Sequence, residues 1–258
     1  MKNKCLIILG RKSMSTLILY NTLSLIHEVK YVILENEESK SVFMKRRIKK
    51  LGFIRVLDQV LFISFYSKLL KSISKKRISE IIKMHNVLID PIPESKIIKV
   101  ESINSEKVIE TLQTSYHDYI VLSGTRILSK NVIHSVKSHI LNIHAGITPN
   151  YRGVHGAYWA FVNKESHLAG VTLHRVDHGV DTGSIIDQEL ITISKKDNFV
   201  TYPYLQLFVG LQMLLKFLQT DNSQFCMNGK LGSDRVSKQW YHPGLSQYLY
   251  NLFSVGVR

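Results

Sequence analysis

The sequence predicts an α/β protein with a mixed, mainly parallel sheet and a short C-terminal appendage. Three observations carry this reading. Short apolar runs at residues 4–9, 30–35 and 119–123 alternate with longer segments of helical periodicity. The first run passes through Gly10-Arg11-Lys12-Ser13 into a helical segment, the strand–turn–helix opening of a nucleotide-type α/β unit. Further on, strand-like segments 170–176 and 184–194 flank a polar turn at 177–183. A parallel crossover needs about a dozen residues or more, so these two pair antiparallel.

Taken in order, residues 4–9 read as a buried strand and 14–29 as a helix. The lone Gly10 lacks the G-x-G-x-x-G phosphate cradle. Arg11 and Lys12 at a helix N-terminus can still meet an anion, the alternative being a plain turn with exposed charges. Residues 30–35 form a second strand. A basic helical insertion follows at about 40–85, with Lys45-Arg46-Arg47-Ile48-Lys49-Lys50 ahead of a helix over 53–70. Ile54, Leu57, Leu61, Phe65 and Leu69 make an apolar stripe on that helix, suited either to packing on the domain or to lying on a membrane.

Short strands are expected at 87–90 and 97–100, separated by the breakers Pro91 and Pro93. Residues 102–115 read as a helix capped by Asn104 or Ser105. The strand 119–123 ends at Gly124, and Ser129 or Lys130 opens a helix to about Val136. Residues 139–144 form the next strand, 155–163 a helix through Tyr158, Trp159 and Phe161, and 199–218 a long apolar helix. Beyond Thr220 lie Gly229, Gly232, Pro243 and the aromatics Trp240, Tyr241, Tyr248, Tyr250 and Phe253, enough for a small subdomain. The expected division is a catalytic domain over 1–195, with its insertion, and a C-terminal helix and subdomain over 196–258.

Composition narrows the function classes. With 258 residues and 45% hydrophobic content the chain can bury a sizeable core. The first apolar run is too short for a signal peptide and no stretch is long enough for a membrane span, so a cytoplasmic protein is expected. Cys5 and Cys226 are too few for a disulfide framework or a zinc site, and Cys5 reads as a core residue. The net charge is +14, and +11 of it lies between residues 40 and 83, where 13 Lys/Arg face only Asp58 and Glu80. Such a patch attracts nucleic acid, acidic lipid or phosphorylated small molecules, or is simply a solvated helical face.

The chemistry centres on Asn142 and His144. Two apart in a strand, they point to one face, at the strand end where open α/β sheets bind ligands. Asp181, in the turn between two strands, is the third candidate. No Ser or Cys is placed to complete a nucleophile triad. The three groups suit attack of an amine on an activated acyl carbon. Asn142 and a protonated His144 stabilise the oxyanion, and Asp181 supports the imidazolium and proton movement. Donors aimed at developing charge are each worth about 3 kcal/mol. A structural histidine at a strand end is the plainer alternative. His144, His155 and Asp181 have no metal-ligand spacing, so no metal is expected.

The segment Ile140-Leu141-Asn142-Ile143-His144-Ala145 through Pro149-Asn150-Tyr151-Arg152-Gly153 resembles the N-x-H…L-P-x-Y-R-G element of the folate-dependent formyltransferases. That family includes the glycinamide ribonucleotide, methionyl-tRNA and sugar N-formyltransferases. Gly170-Val171-Thr172-Leu173-His174 and Val180-Asp181-Thr182-Gly183 through Gln188 resemble its second element, and Val121–Ser129 its pteridine loop. The resemblance spans roughly residues 118–190. It implies a Rossmann-like formyltransferase domain with Asn142, His144 and Asp181 as the catalytic set. It further implies N10-formyltetrahydrofolate as co-substrate, held by Arg126, Ile127 and Leu128 and by Asp177 and Val180 of the turn.

Departures from the family pattern bear on the acceptor. The family's Ser-Leu-Leu-Pro is here Gly146-Ile147-Thr148-Pro149, and the first turn lacks the phosphate loop of the glycinamide ribonucleotide enzymes. The C-terminal segment is short for the tRNA-holding domain of the methionyl-tRNA enzymes. The basic insertion fits neither and looks more like the enzymes that formylate nucleotide-linked amino sugars for surface polysaccharide, including lipopolysaccharide. Arg11, Lys12 and Arg152 are the expected diphosphate contacts, with Gly124, Tyr151 and His155 beside the acceptor. A small-molecule amine is thus expected over nucleic acid, with peripheral contact to acidic membrane through 45–77 as an added role. The alternatives are a methionyl-tRNA or glycinamide ribonucleotide enzyme, or a non-catalytic folate or nucleotide-sugar binding module.

Overall fold

A computed structural model describes residues 3–220, 231–232 and 236–258, so Cys226 and Gly229 lie outside the described residues. The strands are β1 (Cys5–Gly10), β2 (Glu28–Glu35), β3 (Ile97–Val100), β4 (Tyr119–Ser123), β5 (His139–His144), β6 (Arg152–Gly153), β7 (Gly170–Arg175), β8 (Ile185–Leu190) and β9 (Gln239–Trp240). Seven of them form one sheet in the order β3-β2-β1-β4-β5-β7-β8. The first five run parallel, and β7 and β8 add antiparallel, as the short turn between them requires. The central β1 is buried along its whole length, which is why its sequence is an unbroken apolar run.

Alternation along the strands divides the core. Leu6, Ile8, Val121 and Leu141 face a large cluster that includes α1 (Met14–Ser24) and, near the C-terminus, the helix Tyr202–Gln219. Ile7, Leu9, Ile120 and Ile140 face a smaller one completed by Val108 and Leu112 of the helix Glu106–Thr114 and by Val132. The order reverses between β1 and β4, a topological switch point. Thr16 Oγ1 and Ser123 Oγ, 2.9 Å apart, close it, and Ser13 caps α1 by accepting from Thr16 N–H.

The insertion comprises α2 (Lys40–Leu51), α3 (Phe53–Leu61), a π-helical turn at Phe62–Tyr66, α4 (Ser67–Ile73) and α5 (Lys75–Met84). It docks on the C-terminal part of the chain. Phe62 packs edge-on to Phe199 at 4.9 Å and against Tyr248 at 4.8 Å, and Arg77 makes a two-pronged bond to the buried Asp197 at 2.8 and 3.0 Å. The remaining helices are α6 (Glu106–Thr114), α7 (Lys130–His134), α8 (Gly156–Val162), α9 (Tyr202–Gln219) and α10 (Leu245–Ser254).

Three local expectations change. The first helix ends at Ser24 rather than 29, because Glu28 already pairs with Cys5 of β1. Residues 87–90 form no strand: Asp90 gives its carbonyl to Asn21, and β3 takes the edge of β2. In the insertion the packing face is not the stripe read from the sequence. Val56, Gln59 and Phe62 are buried, while Ile54, Leu57, Leu61, Phe65 and Leu69 are exposed.

Candidate active site

Strand pairing assembles the site at the carboxyl end of β5. Leu122 of β4 pairs with Asn142, and across the antiparallel β7 Asn142 faces His174 and His144 faces Thr172. The chain after β5 turns back sharply. A Cβ on Gly146 would lie 2.3 Å from the Tyr151 carbonyl and 2.9 Å from His144 Nε2, so only glycine fits there. This fold-back brings the Tyr151 carbonyl within 2.7 Å of His144 Nε2, which donates to it. Thr172 secures the loop by donating to the Gly146 carbonyl and accepting from Thr148 N–H, and Gln188 donates to the Thr148 carbonyl.

The turn after β7 delivers the carboxylate. Asp177 accepts from Gly179 N–H and Thr182 O–H, a side-chain-closed turn. Gly183 passes so close to the Arg175 carbonyl that a Cβ would sit 1.7 Å from it. Asp181 adopts φ 53°, a left-handed conformation that aspartate tolerates. Its Oδ1 lies 3.3 Å from His144 Nδ1 and 3.9 Å from His174 Nε2, and its Oδ2 accepts from Gly153 N–H at 2.9 Å. Asn142, His144 and Asp181 therefore converge, although Asp181 is far from the other two in sequence.

The electrostatics follow from these contacts. Burial opposes a charge on His144, but the hydrogen bond and charge of Asp181, with the Tyr151 carbonyl, outweigh it and raise its pKa. Burial likewise works against ionised Asp181, and His144 and the Gly153 amide overcome it, holding the carboxylate below its ordinary range. His174 goes the other way: burial lowers its pKa. Its Nδ1–H donates to the Arg175 carbonyl at 2.9 Å, so neutral Nε2 accepts from Asn142 Nδ2 at 3.1 Å. One amide hydrogen of Asn142 is thereby oriented and the other remains to meet a ligand.

The other expected site residues take varied places. Arg11 and Arg126 both bond to the buried Glu35, at 3.0 and 2.6 Å, and Glu35 also accepts from the amides of Ile103 and Arg126. Each guanidinium thus has an ion-pair partner in that carboxylate, and Arg126 Nη2 also donates to the Asn36 carbonyl at 3.0 Å. Lys12 is exposed beyond β1 and Gly124 adopts φ +68° beyond β4. Leu128 is buried in the smaller core cluster, whereas Ile127 is 64% exposed. Tyr151 meets the site through its carbonyl; its ring stacks on Trp240 and its hydroxyl donates to Glu165. Arg152 donates to the Val180 carbonyl. His155 is half-buried against Phe199 and His242, where desolvation and the neighbouring His242 and Arg47 hold it well below the ordinary histidine range.

Sequence reasoning misses His174, Thr172 and the Tyr151 carbonyl. A usable pattern exists for the first two, since Thr172 and His174 share one face of a strand just as Asn142 and His144 do. The loop at 124–129 has a fixed frame. Asn104 donates to the Ile127 carbonyl and accepts from Ser129 N–H, fixing the loop with the Ile127 side chain exposed. A fixed loop with an exposed apolar side chain suits a flat heterocycle that needs one apolar face and an edge of hydrogen bonds. Among the described residues, no cluster of three or more His, Cys, Asp or Glu is placed to hold a metal ion.

Residues 65–214, over half of the chain, match the family described as formyl transferase. A methionyl-tRNA formyltransferase of Thermodesulfovibrio yellowstonii is 32% identical over 117 residues, which is 45% of this chain and 38% of that protein. The chain thus spans less than half the length of that curated relative. Among solved structures, glycinamide ribonucleotide transformylase 1 of Symbiobacterium toebii aligns with a TM-score of 0.55 at 16% identity, covering 88% of this chain and 92% of that one. A sugar N-formyltransferase of a Shewanella species aligns with a TM-score of 0.50 at 14% identity, covering 88% and 76%. At such identities the structural likeness concerns the fold.

Proposed function

The chain belongs to the formyl transferase family, and from that membership we propose that it moves a formyl group from N10-formyltetrahydrofolate to a primary amine, with Asn142, His144 and Asp181 as the catalytic set. The observation that carries this is the contact of His144 with Asp181 at 3.3 Å beside an Asn142 amide oriented by His174.

When bound, the folate supplies an activated formyl carbon. The free hydrogen of Asn142 Nδ2 donates to the formyl oxygen as charge develops there. Both nitrogens of His144 already have partners, so the ring acts mainly through its positive charge, held by Asp181 and the Tyr151 carbonyl. The amine nitrogen attacks the formyl carbon, and ionised Asp181, whose contact with His144 is the longer of the two, takes the proton the amine loses, directly or through water. The bond from the formyl carbon to N10 then breaks as that proton passes to N10, releasing tetrahydrofolate. Ile127, Leu128 and the 177–181 turn hold the pterin.

The acceptor we assign is the amine of a nucleotide-linked amino sugar, used in the cytoplasm for surface-polysaccharide synthesis. Lys12, exposed beyond β1, and the basic α2, which follows β2 on the same sheet edge, offer the positive charge a diphosphate needs. A second reading, initiator methionyl-tRNA, is favoured by that same charge and by the relative named above.

Incubation with the formyl donor and separate panels of amino-sugar nucleotides, glycinamide ribonucleotide and charged initiator tRNA tests this, reading tetrahydrofolate release and N-formyl product. Turnover with an amino-sugar nucleotide is expected. Turnover with tRNA alone moves the assignment to the second reading, and no turnover with any acceptor removes formyl transfer.

A further inference from the structure

The continuous helical stretch Phe53–Ile73 carries two apolar stripes, and the fold buries one of them. Val56, Gln59 and Phe62 face inward, with Tyr66 and Leu70 packed against the core. The other stripe, Ile54, Leu57, Leu61, Phe65, Leu69 and Ile73, faces out; Ile54 is 82%, Phe65 69% and Ile73 72% exposed. Its members are three or four residues apart. Four-residue steps overshoot a 3.6-residue turn and drift around an α-helix. The wider π-helical turn at Phe62–Tyr66 offsets part of that drift and keeps the stripe nearer one face. Phe53, Ile54, Leu57 and Leu61 line an open groove of about 810 Å³ beside Asp58 and Ser246.

The surroundings of the stripe are cationic. Lys45, Lys49, Lys50, Arg55, Lys68 and Lys71 are all exposed. Both acidic residues of the 40–83 stretch already have partners: Asp58 accepts from Ser246 N–H and Oγ–H, and Glu80 lies 3.6 Å from Arg77. An exposed apolar stripe rimmed by lysine and arginine is the surface that lies in a lipid interface, with apolar side chains at the acyl boundary and cations among the headgroups.

We propose that this face of the insertion docks on an acidic lipid surface. Charge selects this occupant. A second copy of the chain would set the same positive surface against itself, whereas anionic headgroups neutralise it. The proposal stands on the surface alone and is independent of the formyl-transfer reading.

Flotation of the full chain with vesicles tests it, using phosphatidylcholine alone and phosphatidylcholine with a third phosphatidylglycerol. The chain is expected to float with the acidic vesicles and not with the neutral ones, and to be released at about 1 M salt, where screening acts within about 3 Å. Replacing Lys49 and Lys50 by Gln is expected to weaken binding about fivefold per residue. The Ile54→Glu, Phe65→Glu double variant is expected to lose at least about tenfold, with an unchanged thermal midpoint showing that the fold is intact. Absence of binding to any vesicle, equal binding to neutral and acidic vesicles, or undiminished binding by the double variant would each overturn the proposal. So would sedimentation showing a dimer of the parent chain that Ile54→Glu dissolves, because the face would then be a self-interface.

Discussion

The end of β5 and the outer face of the insertion invert each other's chemistry. At the first, polar groups are buried or half-buried and each is held by a partner: His144 by Asp181 and Tyr151, Asn142 by His174, and Thr172 by the Gly146 carbonyl. At the second, large apolar groups stand in the open, ringed by cations. Burying polar groups costs free energy unless they are paired, and exposing contiguous apolar surface costs hydration. Each region departs from the ordinary division of polar outside and apolar inside. On the proposed roles, the first keeps its polar groups oriented for a reaction and the second keeps its apolar groups available to a lipid surface.

The largest expected effects fall on the buried polar side. Asn142→Ala and His144→Ala are expected to lower turnover by about 10²–10³, with circular dichroism unchanged. Full rates in either variant would reduce the polar cluster to packing. Next comes Glu35→Ala, which leaves Arg11 and Arg126 without their shared carboxylate. A loss of about 3 kcal/mol in urea unfolding is expected, and a smaller loss would mean that water already serves those two cations.

The pH profile sharpens the roles within the cluster. In the proposed mechanism His144 works protonated, and its pKa is raised, so activity is expected below that pKa and lost as pH rises through it. His174 works neutral and its pKa is lowered, so activity falls again in acid, below the ordinary histidine range. Asp181→Asn removes the partner that outweighs burial at His144, and the alkaline limb is expected to move toward acid. A limb that stays in place would assign it to another group. Smallest of all is the effect of Ile54→Glu on folding, expected within about 0.5 kcal/mol because that side chain is largely exposed. A larger loss in thermal unfolding would show that the exposed stripe is part of the core after all.

Much of the fold and half of the candidate site are legible in the order of the amino acids. The unbroken apolar run of β1 foretells a central parallel strand, and the short turn at 177–183 foretells the antiparallel pair. Asn142 and His144 are readable as a pair because strand periodicity is a local property. Less legible are the partners of charge. Arg11 reads as an anion binder and Arg126 as a contact of the folate, yet both close on Glu35, whose position depends on how β2 lies against β1 and the 124–129 loop. A cation in a sequence carries no mark of whether a carboxylate elsewhere has claimed it.

The insertion makes the same point with apolar groups. Helical spacing picks out Ile54, Leu57, Leu61, Phe65 and Leu69 as a stripe, and that stripe exists. A second stripe runs through Val56, Gln59 and Phe62 on a different face, and it is the one that Phe199 and Tyr248 cover. Periodicity gives the faces of a helix; which face meets the core depends on chain that arrives more than a hundred residues later.

By itself, then, the sequence determined what near neighbours decide: most of the strands, the short polar turn that carries Asp181, and the pairing of Asn142 with His144 on one face. Tertiary structure alone decided what register and loop closure decide: His174 behind Asn142, the Tyr151 carbonyl on His144, Glu35 between two arginines, and the stripe left facing out. The physical reason is range. Backbone sterics and side-chain alternation act over a few residues, whereas hydrogen bonds, ion pairs and packing act between whatever the folded chain brings within a few ångströms.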